Sequence, residues 1–143
     1  GDISILPEKS YQALLEGKRK TENCKSLTLI LALNYGSKYE LTEAVKEIGS
    51  KVKKGQIHPN EINEELIQNH LYTKNFPDPE VLIRTSNEVR LSNFLLWQLA
   101  YAEMFFLPIY WPDFRKEHLL QCIKDYQNRE RRFGQTGDQL KSK

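Results

Sequence analysis

Apolar residues at positions 41, 44, 45, 48 and 52 recur three and four apart. That period places Leu41, Ala44, Val45, Ile48 and Val52 on one stripe and predicts an amphipathic helix. Lys51, Lys53 and Lys54 fall near its carboxyl end, where cations suit the helix dipole, and Gly55 stops it. A different pattern precedes it. Leu27 to Leu33 is a continuous apolar run bounded by polar residues, which predicts a strand buried on both faces, as in a parallel sheet. The turn-rich Asn34-Tyr35-Gly36-Ser37-Lys38 lies between the two. Val81-Leu82-Ile83 predicts a second buried strand after the proline-marked loop Asn75-Phe76-Pro77-Asp78-Pro79, and Tyr101 to Leu107 a third.

Four further helices are predicted. One follows Pro7, with Tyr11, Leu14 and Leu15 inward, and ends at Thr21-Glu22-Asn23. One starts near Asn60 as N-cap, with Ile62, Leu66, Ile67 and Leu71 inward. One is capped by Ser92 or Asn93, with Phe94 to Trp97 in its first turns. The last follows Asp113, a candidate N-cap, with Leu119, Leu120, Ile123 and Tyr126 or Gln127 on one side. Together these elements predict an α/β fold, a mostly parallel sheet flanked by helices, in a single domain over residues 1–134. Residues 135–143 read as a polar, disordered tail.

The chemistry concentrates behind the second strand. Arg84, Glu88, Arg90 and Ser92 crowd into the segment at the strand's carboxyl end, which is where open parallel sheets bind ligands. Two arginines offer bidentate donors, and a helix start at Ser92 would add free N–H groups. The pattern points to a phosphate or diphosphate site; its plainer reading is a solvated loop closed by a salt bridge to Glu88. Glu103 is a carboxylate inside an apolar strand and requires a partner. An arginine and a divalent cation beside a diphosphate are both open at this point.

Composition narrows the class. The chain has 143 residues, 39% hydrophobic and 28% charged, with a net charge of +2, too small to argue for nucleic acid. No stretch reads as a signal peptide, and no apolar run is long enough to cross a bilayer. Cys24 and Cys122 lack metal spacing and read as reduced cytosolic thiols. His58, His70 and His118 read as surface residues with neither metal nor triad spacing. Phe105, Phe106, Tyr110 and Trp111 read as core or subunit interface, and the arginines from 129 to 132 as a helix-end charge cluster.

Four motifs, "NYGSKYEL", "PDPEVLIRTSNEVRLSNFLLWQLAYAEMFF", "WPDF" and "RERRFG", carry a family resemblance. In order and spacing they resemble the C-terminal part of the cis-prenyltransferases, most of all the bacterial undecaprenyl diphosphate synthases. The resemblance implies condensation of isopentenyl diphosphate with an allylic diphosphate such as farnesyl diphosphate. Repeated in cis, this gives a long-chain polyprenyl diphosphate, the precursor of a cell-wall lipid carrier. It implies that Arg84, Arg90 and Ser92 bind isopentenyl diphosphate and that Glu88 supports them. It implies that Glu103 binds magnesium and that Asn34 sits near the reacting centre as a catalytic residue. It implies that Arg132 and Gly134 belong to a tail able to approach an active site near a dimer interface. A homodimer in the cytoplasm is implied, with the inner membrane face a candidate peripheral location through the lipid product. The family's Asp-Gly-Asn-Gly-Arg-type loop, with its magnesium-sharing aspartate, has no counterpart here. The chain therefore reads as an incomplete, C-terminal portion of that fold and as inactive alone. Asn87 stands where the family has glycine, and Ser37-Lys38 where it has Gly-Arg. Two readings compete: a non-catalytic subunit of a heteromeric prenyltransferase, and a nucleotide-binding module of another doubly wound class. No Gly-rich Walker or Rossmann fingerprint supports the second.

Overall fold

The structure is a computed structural model that describes residues 1–129. The chain forms two compact units, Gly1–Asn75 and the residues from Phe76 onward.

The first unit is helical. α1 (Glu8–Thr21) starts directly after Pro7, with Glu8 in its first turn and Lys18, Arg19 and Lys20 in its last, as the helix dipole favours. Its stripe is shallow: Tyr11 and Leu14 are half-buried and Leu15 is exposed. α2 (Ser37–Lys53) buries Ala44 and Ile48 of the expected stripe, and Val45 lies outside it, exposed. Its end is a Schellman motif. Gly55 takes φ +70°, its N–H donates to Val52 O at 2.9 Å, and the Gln56 N–H donates to Lys51 O at 2.9 Å.

The next helix starts later than expected. Asn60 lies in a 3-10 turn, Pro59–Glu61, begun by Pro59 and held by His58 Nδ1 accepting from the Asn60 N–H at 3.3 Å. The cap of α3 (Glu64–Gln68) is Asn63, whose Oδ1 accepts from the Leu66 N–H at 2.8 Å. α3 packs on α2, with Leu71 just beyond it buried and Ile62 exposed. His70 is not a surface residue: its side chain is 8% exposed because it follows α3 onto the face of α2. Its Nδ1 lies 2.6 Å from Leu66 O and its Nε2 lies 2.8 Å from Lys51 Nζ.

Residues 27–33 do not form the expected strand. They belong to no helix or ladder, and Leu27, Leu29, Ile30 and Leu31 are exposed. A strand exists only against a partner strand, and none of the described residues pairs with this run.

The second unit holds the sheet. β1 (Val81–Arg84) and β2 (Glu103–Phe106) pair in parallel, Val81 with Glu103 through Arg84 with Phe106. β2 is thus shorter than the expected 101–107. The crossover between them contains no helix. Ser92, Asn93 and Leu95 take φ +49°, +62° and +44°, and left-handed residues cannot open a right-handed helix. The segment runs as successive turns that still bury Gln98 and Leu99. α4 (Lys116–Asn128) buries Cys122, and Ile123, Leu119 and Leu120 are exposed. Asp113 is not its cap. It closes the 3-10 turn Trp111–Asp113, and Arg115 caps α4, its N–H donating to His118 Nδ1 at 3.0 Å.

Candidate functional site

Arg84 is the last residue of β1, so its side chain leaves the sheet at the carboxyl end. The Leu107 N–H donates to Arg84 O at 2.8 Å and continues the ladder by one step. The chain then turns sharply. Ser86 and Asn87 take φ +69° and +54°, and their N–H groups donate to Ile109 O at 2.6 Å and Leu107 O at 3.0 Å. Asn87 accepts this left-handed backbone because its short polar side chain tolerates that region. The turn brings Glu88 back toward the strand end. Glu88 Oε2 lies 3.9 Å from Arg84 Nη2 and is in direct contact with Arg90 Nη2.

Both expected arginines therefore converge on one carboxylate. Arg84 is partly sheltered and Arg90 largely exposed, their side chains 26% and 65% accessible. Glu88 Oε2 is screened from solvent and makes no directed hydrogen bond, so its compensation is ionic. The two guanidiniums outnumber the carboxylate, which leaves a local positive excess at the strand end. Ser92 lies two residues beyond Arg90, exposed and with left-handed backbone. It contributes no helix N-terminus here, so the candidate anion donors are the guanidiniums and not a helix end.

Glu103 stands apart from this cluster. It is the first residue of β2 and registers with Val81, three residues before Arg84, roughly 10 Å along the strand. Strand alternation puts Glu103 and Phe105 on the face of Val81 and Ile83, with Arg84 on the other. Its carboxylate has the arginine partner that sequence left open. Arg129 Nη1 donates to Glu103 Oε2 at 2.6 Å, with side chains 42% and 25% exposed. The same guanidinium lies over the Phe105 ring, 4.3 Å from its centroid. Tyr126, one turn earlier on α4, donates its hydroxyl to Glu80 Oε2 at 2.8 Å. No group of three or more potential ligand side chains occurs among the described residues. One carboxylate still fits magnesium, a hard cation that takes one or two carboxylates and completes its shell with phosphate oxygens and water.

Asn34 belongs to the first unit. It is exposed, with φ +44°, and it is tied to the amino-terminal segment in both directions. Its Nδ2 donates to Asp2 O at 3.0 Å, and the Asp2 N–H donates to Asn34 O at 3.2 Å. The turn after it is braced by Glu40, 1% exposed, whose Oε2 accepts from the Tyr35 hydroxyl at 2.5 Å and whose Oε1 accepts from the Tyr72 N–H at 2.8 Å. Sequence reasoning missed Glu40, although its place four residues before Ala44 puts it on the inward stripe. It missed Arg129 as a partner of Glu103 for a different reason, since no local spacing links residues 26 apart. Arg132 and Gly134 lie outside the described residues.

Cys24 is exposed and Cys122 buried, and both are free thiols. Burial pushes the Cys122 thiol above its ordinary value, and the nearby Asp125 adds to this. Among the described residues no helix is long and apolar enough to cross a membrane.

Comparison with known proteins gives this geometry a family. The family model described as putative undecaprenyl diphosphate synthase matches residues 1–134. An isoprenyl transferase of Porphyromonas gingivalis is 46% identical over 140 residues, 98% of this chain and 55% of that protein. A Micrococcus luteus ditrans,polycis-undecaprenyl-diphosphate synthase, specific for (2E,6E)-farnesyl diphosphate, is 52% identical over 134 residues, 94% of this chain and 54% of that protein. Among solved structures, lavandulyl diphosphate synthase from Lavandula x intermedia, crystallised with dimethylallyl diphosphate, superposes with a TM-score of 0.89. It is 39% identical and covers 94% of this chain and 58% of its own. A probable undecaprenyl diphosphate synthase from Campylobacter jejuni gives 0.76 at 35% identity, over 94% and 61%. The chain spans about half the length of the curated relatives it matches. On the match of its first 134 residues, the chain belongs to the undecaprenyl diphosphate synthase family of prenyltransferases.

Proposed function

We propose that these residues supply the isopentenyl diphosphate site of a cis-prenyltransferase. The enzyme would condense isopentenyl diphosphate repeatedly with an allylic diphosphate such as farnesyl diphosphate, making a long-chain polyprenyl diphosphate. The observation that carries this is the convergence of Arg84 and Arg90 at the carboxyl end of β1. A diphosphate offers these guanidiniums paired oxygens that match their bidentate donors. Glu88 holds the two side chains toward one point until the diphosphate arrives. Ser92, two residues beyond Arg90, is assigned to the same site as a hydroxyl donor.

Holding the diphosphate fixes the double bond of isopentenyl diphosphate for attack on the allylic carbon, so the arginines act by positioning. Glu103 is the residue that would hold magnesium, which when bound offsets charge on diphosphate oxygens. Asn34, in its tethered turn, is assigned to the neighbourhood of the reacting carbons. A homodimer and contact with the membrane face through the lipid product belong to the same proposal. These residues by themselves are expected not to elongate prenyl chains, because the aspartate-bearing loop of the family has no counterpart among them.

The test is calorimetric titration with isopentenyl diphosphate, with ATP as competitor, followed by incorporation of labelled isopentenyl diphosphate onto farnesyl diphosphate. Binding that ATP does not displace, with incorporation appearing once the remaining length of the relatives is supplied, is the expected result. Equal competition by ATP would overturn the assignment of substrate. Incorporation by these residues alone would overturn the assignment of incompleteness.

A further inference from the structure

The Glu103–Arg129 pair joins the first residue of β2 to the residue that caps α4. Glu103 and Phe105 are two apart and share a face of the strand, so carboxylate and ring bracket one guanidinium. The contact is half-exposed, with one side closed by the chain. Phe105 is 7% exposed, Glu103 is three-quarters covered, and Tyr126 fixes the preceding helical turn to Glu80. Arg129 thus gives Glu103 a positive partner supplied by the chain itself.

We infer that Arg129 and a divalent cation compete for the Glu103 carboxylate, so that metal binding there releases the end of α4 from β2. This rests on Glu103 as the magnesium residue of the proposed function. Arg129 engages Oε2 at 2.6 Å, and magnesium would sit about 2.1 Å from a carboxylate oxygen. Two cations on one carboxylate would stand within roughly 5 Å and repel. Half-exposed ion pairs are weak, so the exchange is feasible at ordinary magnesium concentrations. The coupling is reciprocal: whatever holds Arg129 on Phe105 weakens metal binding, and metal weakens the seat of α4. In sequence, Arg129 leads directly into Glu130-Arg131-Arg132-Phe133-Gly134, so the residue that yields to metal is the one that introduces the arginine-rich motif.

The experiment follows the Arg129 Nε–H signal by NMR in protein labelled with 15N-arginine, assigned by its loss in Arg129→Gln. Magnesium is added at constant ionic strength, with and without isopentenyl diphosphate. The expected result is a saturable move toward the position the signal holds in Glu103→Gln without metal. Calorimetry with manganese should show Arg129→Gln binding about tenfold more tightly than the parent, the scale of one modest ion pair with its ring contact. Arg129→Lys, which keeps the charge, should retain the weaker affinity, and Arg115→Gln should match the parent. A signal that stays in place as manganese binds, affinity unchanged in Arg129→Gln, or no saturable metal binding would each overturn the inference. Metal-free titration of isopentenyl diphosphate on the same samples separates the two ideas. Its failure with the Arg129 shift intact removes the function proposed, and its success without the shift removes only the competition.

Discussion

Arg90 and Arg129 each neutralise a glutamate in the second unit, by opposite routes. Arg90 meets Glu88 from two residues away, on a loop bent by left-handed residues, and remains 65% exposed. Arg129 reaches Glu103 across 26 residues, from a helix end to a strand, with an aromatic ring beneath it. The first arrangement gathers positive charge at a surface and satisfies it incompletely. The second satisfies a sheltered carboxylate with one cation. The difference separates a place left with a positive excess, the one proposed to take a diphosphate, from a place whose charge is already met within the chain.

The sharpest way to break the comparison is to remove one arginine from each place, Arg84 beside Glu88 and Arg129 beside Glu103, and measure isopentenyl diphosphate binding. Arg84→Ala should weaken it by about a hundredfold, the scale of charge-assisted hydrogen bonds lost from a partly sheltered guanidinium. Arg129→Ala, without metal, should leave it within about twofold, since exposed ion pairs distant from a ligand contribute little. Equal losses by calorimetry would dissolve the distinction.

Next in size is the backbone of the loop. Asn87→Val should destabilise the second unit by about 2 kcal/mol, because a β-branched residue resists φ +54°. Asn87→Gly should be neutral or stabilising by under about 1 kcal/mol. Denaturant midpoints read both, and a neutral valine would mean the turn is not held left-handed.

Double-mutant cycles give a smaller effect. Coupling between Glu103 and Arg129 should be about 1 kcal/mol, and that between Glu88 and Arg84, 3.9 Å apart, about 0.3 kcal/mol. The reverse order in stability measurements would contradict the comparison.

The smallest effect is alkaline. The Cys122 thiol, on the helix that carries Arg129, is raised above its ordinary 9.0 by burial. A folded-state pKa above the unfolded one contributes stability that is full below the unfolded value and fades as pH climbs through the folded one. Unfolding followed from pH 8 to 10.5 should therefore show a loss above about pH 9 that Cys122→Ala lacks. Cys24, exposed, should react with a thiol reagent well before Cys122.

Where structure followed local rules, the sequence announced it. The α2 stripe apart from Val45, the Gly55 stop, both sheet strands and the salt bridges of Arg84 and Arg90 to Glu88 all follow from spacing within a few residues. Misreadings arose where a second preference won. Asn60 is a good cap, but Pro59 starts a 3-10 turn around it and leaves Asn63 to cap α3. Ser92 and Asn93 are good caps too, yet their left-handed backbone turns the chain away from a helix. His70 looked like a surface residue because its neighbours in sequence are polar, whereas its neighbours in space include α2. The Arg129 contact had no sequence signal, since nothing in a strand's period names a partner at the end of a distant helix.

The run from Leu27 to Leu33 has a consequence for how the polypeptide must be made. Seven consecutive residues lack charge, proline and glycine, six of them exposed and Leu33 half-buried, and such segments zip together between chains. They also leave the ribosome well before β1 and β2 exist. Made by themselves, these residues should associate through this run, and the yield of folded monomer should fall as their concentration rises.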